Sequence, residues 1–364
     1  MSAIRVLDLG LVMPLRSQTI YHALAHAMAS EDPDTIVLLS PSAPYICVGF
    51  HQDLESEVDL AYCRERGLPV FRREVGGGTV YLDSNQLFTQ WVFHRNHLPE
   101  SLEKRFELHI RPLVETYRRL GIPAYHRPLN DIHVAGRKIG GTGAASAGEA
   151  EVVVGSLMFD FDPEVMARAL KVPSEKMRDK VHQSLREYVT TMARELGRVP
   201  DREEVKAIYI ENCSAVLGAD IVRGALTGRE EAAVREWDER FLSPEWLFQG
   251  GGAERMGVKI HEGVRVVQFA HKALGGLIRV TARIRDGRID DLALSGDFAL
   301  LPASAVGSLE RAVHGLDGEY GTLLGRLKEV YAAIGIQSPG VTPEDFATAI
   351  LGATSQAGHG DGSL

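Results

Sequence analysis

Two stretches of this chain bring together residue types that could handle an anion. The first, RREVGGGTVYLD from Arg72 to Asp83, sets an arginine pair just ahead of three consecutive glycines and a β-type tail. Glycine loses more backbone freedom on folding than any other residue, so such a run needs a reason: something approaches the backbone closely, or φ turns positive. Successive N–H groups exposed in such a loop make a concave anion site, and arginines beside it add fixed positive charge. A holder of carboxylate or phosphate and a glycine-rich hairpin turn with surface arginines both fit these residues. The second stretch, RPLNDIHVAGRKIGGTGAA, runs from Arg127 to Ala145. Asn130 and Asp131 lead into a short strand, Ile132 to Val134; Ala135 and Gly136 turn the chain, which returns through Arg137, Lys138 and Ile139 into GGTG. A lysine on a strand ending in a glycine turn would project its charge from a fixed scaffold. An exposed lysine on an ordinary hairpin is the plainer alternative.

The surrounding elements decide between motifs. Pro69 to Arg72 leads into the glycine loop, and Thr79 to Leu82 and Leu87 to Phe93 follow it, rich in β-branched and aromatic residues. The loop therefore lies between strands. A P-loop needs a lysine after its last glycine and then a helix, and the dinucleotide fingerprint also opens a helix; neither fits. Upstream, Ile4 to Leu11, Thr35 to Ser40 and Tyr45 to Phe50 read as strands, and Ser17 to Met28 as an amphipathic helix. His22 and His26 share a face of that helix, but no acidic or cysteine ligand lies near them in sequence, so ordinary helix histidines are the expectation. Leu102 to Leu120 carries the clearest helical stripe, interrupted by Pro112. Glu151 to Phe161 reads as one long strand or a strand pair. Asp162 caps a helix with Pro163 at its first position, and Asp201 with Glu204 resembles a capping box. Near the C-terminus, Asp286-Gly287 joins two strands as a type I′ turn. Gly250 to Gly252 reads as a flexible connection, and the polar tail after Ala353 as disordered.

Composition bounds the class. The chain has 364 residues, 45% of them hydrophobic, and a formal net charge of −9. That length allows one large and one small domain. The acidic balance argues against bulk nucleic-acid binding, though not against a local basic pocket. No apolar run approaches a membrane span, and the N-terminus lacks a signal-peptide core, which points to a cytoplasmic protein. The three cysteines, Cys47, Cys63 and Cys213, lack metal-ligand spacing and read as free, buried thiols of a reduced compartment.

With both stretches in hand, the sequence resembles the lipoate–protein ligase A family, of the biotin/lipoate protein ligase superfamily. The marks are RREVGGGTVYLD and then NDIHVAGRKIGGTG, in that order with a helix between; SAPYICVGFHQDLESEVD and ERFLSPEWLF extend the likeness over most of the chain. The resemblance implies an α+β fold: a large mixed or antiparallel sheet domain over 1–240, a linker over 241–253, a small C-terminal α/β accessory domain over 254–353 and a disordered tail over 354–364. It implies activation of lipoate with Mg2+ and ATP to lipoyl-AMP, then transfer to a lysine of a lipoyl-acceptor protein, such as a lipoyl domain or a lipoate-binding protein of a sulfur-oxidation system. Nucleic acid and membrane are not expected partners. Lys138 matches the essential lysine. Arg73, Val75, Gly76, Gly77, Gly78, Val80, Tyr81, Asn130, Asp131, Gly141, Thr142 and Leu157 would bind lipoate or the adenylate. Val134 would join the apolar wall, and Asp131 would hold Mg2+ or orient Lys138.

Some positions depart from the family pattern. Val75 stands where a serine is usual, Leu82 and Val154 where a histidine is, and Gly140 where a small hydroxyl residue is. These changes put acyl-chain preference in question. The alternatives are an octanoyltransferase, which shares the fold, takes its acyl group from an acyl-carrier thioester and in several cases works through a cysteine; a biotin ligase, whose motifs are arranged differently; and a lipoate-binding paralogue without catalysis.

Overall fold

The computed structural model describes residues 3–249 and 264–358; the Gly250 to Gly252 connection lies outside them. The chain divides into two compact units. The larger comprises Met1–Val48, Glu55–Arg73 and Thr79–Leu247, and the smaller Gly49–Leu54, Glu74–Gly78 and Phe248–Leu364. The chain is α+β, with a large mixed sheet.

The strands of the larger unit are β1 (Ile4–Val12), β2 (Thr35–Pro41), β3 (Tyr45–Val48), β4 (Val70–Arg72), β5 (Val80–Leu82), β6 (Gln86–His94), β7 (Tyr125–Arg127), β8 (Asp131–Val134), β9 (Arg137–Ala147), β10 (Ala150–Met158) and β11 (Ile221–Arg223). Eight of them form one sheet in the order β11-β1-β2-β6-β10-β9-β8-β7. β1 is parallel to β11 and β2, and every other neighbouring pair is antiparallel. β3, parallel to β4 and antiparallel to β5, makes a second small sheet. The glycine loop thus does connect two strands. β2 is buried along its whole length, which explains its unbroken apolar run rather than an alternating one.

The helices up to Leu247 are α1 (Arg16–Ala27), α2 (Leu54–Glu57), α3 (Leu60–Glu65), α4 (Leu102–Arg119), α5 (Pro163–Ala169), α6 (Glu175–Tyr188), α7 (Met192–Leu196), α8 (Arg202–Leu217), α9 (Gly228–Leu242) and α10 (Pro244–Leu247). α4 carries Pro112 without a break and buries Leu102, Phe106, Ile110, Leu113 and Tyr117 against β9 and β10. Each such side chain contributes roughly 1.5–3 kcal/mol of burial. α5 is capped by Asp162, whose carboxylate accepts from the Glu164 and Val165 amides. Asp201 accepts from the Glu204 amide, while a complete capping box forms at Thr227 and Glu230. His22 and His26 both stack on Trp237 and belong to an aromatic cluster.

One expected feature is absent. β9 does not end in a glycine turn after Lys138; it runs on through Gly140 to Gly143 as far as Ala147. A Cβ on Gly140 would lie 3.3 Å from the Ser156 carbonyl oxygen and 3.5 Å from Ile132 Cδ1. Glycine serves close backbone approach here, not reversal of the chain.

In the smaller unit β12 (Val264–Ala273), β13 (Gly276–Arg285) and β14 (Arg288–Gly296) form an antiparallel meander. Asp286 and Gly287 have φ of 50° and 74°, the type I′ geometry expected at this hairpin. Alternate residues of β13 are buried with α11 (Ala305–Ala312), α12 (Tyr320–Ile334) and α13 (Pro343–Gly358) around one core. α13 runs to Gly358, five residues into the stretch expected to be disordered; 359–364 lie outside the described residues. No helix among the described residues is long and apolar enough to cross a membrane.

Candidate functional site

The β8–β9 hairpin turns at Ala135 and Gly136, whose φ of 47° and 82° are left-handed. Its register pairs His133 with Lys138, but Ile132 with Gly140 and Asp131 with Gly141, leaving Ile139 as an extra residue in β9. That bulge resets the pleat, so Lys138 and Gly141, three apart, face the same side as Asp131 and His133, while Ile132 and Ile139 enter the core. Lys138 Nζ lies 2.7 Å from Asp131 Oδ1. Gly141 forms the floor beneath the ammonium: a Cβ there would sit 3.1 Å from Lys138 Nζ, 3.2 Å from its Cε and 3.4 Å from Asp131 Oδ1. The lysine and aspartate side chains are 36% and 22% exposed. Such a pair adds under about 1 kcal/mol to stability, so its use is to hold a charge in place.

The backbone around this pair is fixed from several directions. The Thr190 amide donates to the Lys138 carbonyl at 2.8 Å. Glu195 accepts from Thr190 Oγ1 and from Arg137 Nη2. Asn130 Nδ2 donates to the Thr142 carbonyl at 2.5 Å and the Thr142 amide donates to the Asn130 carbonyl at 2.9 Å, so Asn130 extends the ladder ahead of β8. β9 and β10 cease to pair beyond Thr142 and Gly155. Tyr117 Oη enters that gap, donating to the Ile139 carbonyl at 3.0 Å and accepting from the Met158 amide at 2.9 Å.

Asp131 has both carboxylate oxygens directed at neighbouring side chains. One carboxylate oxygen is taken by Lys138 and the other faces His133 Nε2 at 3.7 Å. No group of three or more His, Cys, Asp or Glu side chains among the described residues could hold a metal ion. His133 itself, which the motif reading passed over, is buried, and that burial holds its ring below the usual histidine value, partly offset by Asp131. Its position two residues from Asp131 on a strand was the available signal.

The arginine pair is split. Arg72 is fully buried; its Nε donates to the Leu247 carbonyl at 2.9 Å, and Trp246 Nε1 donates back to the Arg72 carbonyl at 2.9 Å. The first arginine therefore ties β4 to α10. Arg73 is also buried and donates to the Cys47 carbonyl at 3.2 Å. Val80 is half-buried and Tyr81 buried on β5, and Leu157 lies fully buried in β10. Val75 and the three glycines belong to the smaller unit. Within it, a Cβ on Gly76 would lie 2.8 Å from the Phe298 carbonyl oxygen and 3.1 Å from Ala299 Cα, and Gly77 has φ of 97°. Close approach and positive φ both occur, and what approaches Gly76 is this chain's own backbone.

All three cysteines are buried and free. Burial pushes each thiol above its usual value, that of Cys63 to about 11, and leaves no ready thiolate.

Lys138 with Asp131 presents a fixed, half-exposed ammonium of the kind that stabilises charge developing on an anion. Comparison with known proteins agrees with the two motifs. The family model described as the lipoyl protein ligase A/B catalytic domain matches residues 14–214. The chain is 31% identical over 213 residues to lipoate-protein ligase A subunit 1 of Thermoplasma acidophilum, covering 55% of this chain and 79% of that protein. It is 25% identical over 251 residues to octanoyltransferase LipM of Kyrpidia tusciae, covering 62% and 90%. Among solved structures, that of a bipartite lipoate protein ligase and its E2 lipoyl domain from T. acidophilum superposes with a TM-score of 0.63 at 26% identity, over 68% of this chain and 97% of that one. The lysine on its bulged hairpin thus stands in a chain that belongs to the lipoyl protein ligase A/B catalytic domain family.

Proposed function

We propose that this chain is an ATP-dependent lipoate–protein ligase. In the first step a lipoate carboxylate oxygen attacks the α-phosphate of ATP and pyrophosphate leaves; in the second, the amine of an acceptor lysine attacks the acyl carbonyl and AMP leaves. Two anions must meet in the first step, and a positive group aimed at the developing charge lowers that barrier. Lys138, held over Gly141 by Asp131, is the observation that carries the reading. A compact ammonium can contact the acyl carbonyl and the phosphate together, where a planar guanidinium fork would do so less well. We assign the acceptor to the lipoyl-domain class, in keeping with the E2 partner named for the T. acidophilum ligase.

Octanoyl transfer from an acyl-carrier thioester is the second reading, favoured by the likeness to octanoyltransferase LipM. The buried, high-pKa thiols weigh against a cysteine acyl-enzyme. Protein incubated with ATP, magnesium and lipoate, without acceptor, should accumulate bound lipoyl-AMP visible by native mass spectrometry. Lys138→Ala should abolish it while melting like the parent. Absence of adenylate together with transfer from octanoyl-carrier protein would replace the ligase reading by the transferase one.

A further inference from the structure

The sheet face that carries Lys138 is uncovered over part of its width. Gly141, which lies under the ammonium, and Gly143 are two apart on β9 and share that face. The ladder sets Gly143 opposite Val154 of β10, and Val154 opposite Gln90 of β6. Residues directly opposite one another point to the same side of a sheet. Gly141, Gly143 and Val154 are partly exposed, while the next row along, Ala145, Val152 and Val92, is buried. α1 packs against β6, β9 and β10 over that buried part. Its first turn meets Gln90, and near its other end the Ala25 carbonyl would stand 3.4 Å from a Cβ on Gly148. An open strip thus runs from Lys138 to Gln90 and stops at α1.

Gln90 is 2% exposed, and its Nε2 donates to the Ser17 carbonyl at 2.8 Å. A carbonyl can only accept, so the amide must turn its NH2 to α1, which leaves Oε1 on the other side. Oε1 is buried and meets no hydrogen-bond donor among the described residues. Such an acceptor is unfavourable, and nearly all buried polar groups in folded proteins are met. Gln90 lies two strands across and two residues along from Gly141, about 12 Å by sheet geometry. An extended eight-carbon chain of about 9 Å, with a hydrogen bond of about 3 Å at its end, spans that distance. We infer that Gln90 is a specificity-determining residue: Oε1 ends the acyl strip as an acceptor and selects an eight-carbon acid with an S–H or O–H donor near the end of its chain. Dihydrolipoate, whose thiols are such donors, is thereby favoured over octanoate, which has none. The placing of the carboxylate end rests on the ligase reading of Lys138.

Calorimetric titration of the whole chain with dihydrolipoate, ω-hydroxyoctanoate and octanoate, all under one reductant, reads the tail without any chemistry. Wild type should bind the hydroxy acid about tenfold, and dihydrolipoate, a weaker donor, at least about threefold, more tightly than octanoate. Gln90→Leu removes the acceptor and should bring both ratios to within about twofold of one. Gln90→Met, with only a weak sulfur acceptor, takes its place if that variant fails to fold. A merely structural glutamine would shift all three affinities together. Equal affinities in wild type, no measurable binding of any acid, or unchanged ratios in the variant would overturn the role. Preference for the hydroxy acid alone would overturn dihydrolipoate as the ligand. Adenylate formation with ATP and magnesium is measured alongside. Its absence with the ratios intact refutes the ligase reading alone and leaves the role of Gln90 standing.

Discussion

Adding one methyl group to the floor under Lys138 tests whether the position of the ammonium, and not just its presence, sets the rate. In Gly141→Ala the new Cβ would stand 3.1 Å from Nζ, 3.2 Å from Cε and 3.4 Å from Asp131 Oδ1. The first two of these belong to the far end of a flexible side chain. The lysine can move aside, and alanine suits a strand at least as well as glycine, so the fold should lose little. Misplacing a reacting group by about 1 Å costs up to about 100-fold. Gly141→Ala should therefore lower kcat for adenylate formation by about 10- to 100-fold, with a melting temperature within about 3 °C of the parent. Its neighbour supplies the control. A Cβ on Gly140 meets the Ser156 backbone oxygen at 3.3 Å and Ile132 on the core side. That contact cannot swing away, and Gly140→Ala should cost about 1–3 kcal/mol of stability with the activity of the folded fraction retained. Steady-state kinetics beside denaturant titrations read both effects. Wild-type kcat in Gly141→Ala, or the two signatures exchanged, would refute the placement of Lys138 over a glycine floor.

Acid should unfold the protein partly through His109, fully buried in α4, whose pKa burial lowers from 6.5 to about 3. The folded ring stays neutral while the unfolded one binds a proton, so stability is intact above pH 6.5 and is lost as pH falls toward 3, by up to roughly 5 kcal/mol. His109→Phe should flatten that slope in melting curves from pH 7 to 4; an unchanged slope places the proton elsewhere. Iodoacetamide should leave both half-reactions intact, since all three thiols are buried; loss of most activity on alkylation would restore a cysteine mechanism. Gly76→Ala drives a methyl to 2.8 Å from the Phe298 carbonyl, a contact between backbones, and should lower the melting temperature by several degrees. An unchanged melting temperature would mean that the glycine is not needed for this packing.

The local pattern gave away most of the strands, the α4 stripe and the Asp286-Gly287 turn, because period and turn chemistry act over a few residues. Lys138 and Asp131 were legible as a motif, and the loop was rightly placed between strands. The bulge at Ile139 was not, since an extra residue on one strand shows only against its partner. That is why GGTG looked like a turn. The arginine pair shows the same limit of local pattern: both residues carry the same charge in sequence, and only the fold gives Arg72 its contacts with Leu247 and Trp246 and Arg73 its contact with Cys47. His133 has no motif of its own, and only the β8–β9 pairing shows it on the face that carries Asp131 and Lys138.

The phenol wedged between β9 and β10 has a consequence for how the lysine strand is kept in register. In the pairing of Thr142 with Gly155, Ile139 would face Met158, and these are the two groups that Tyr117 Oη joins. A side chain of α4 therefore replaces a rung of the sheet. Hydrogen exchange at the Met158 amide should report the docking of that helix, since the amide is shielded only while the helix stays in place. The strand that carries Lys138 takes part of its alignment from a helix, and so the site is complete only where α4 is packed against it.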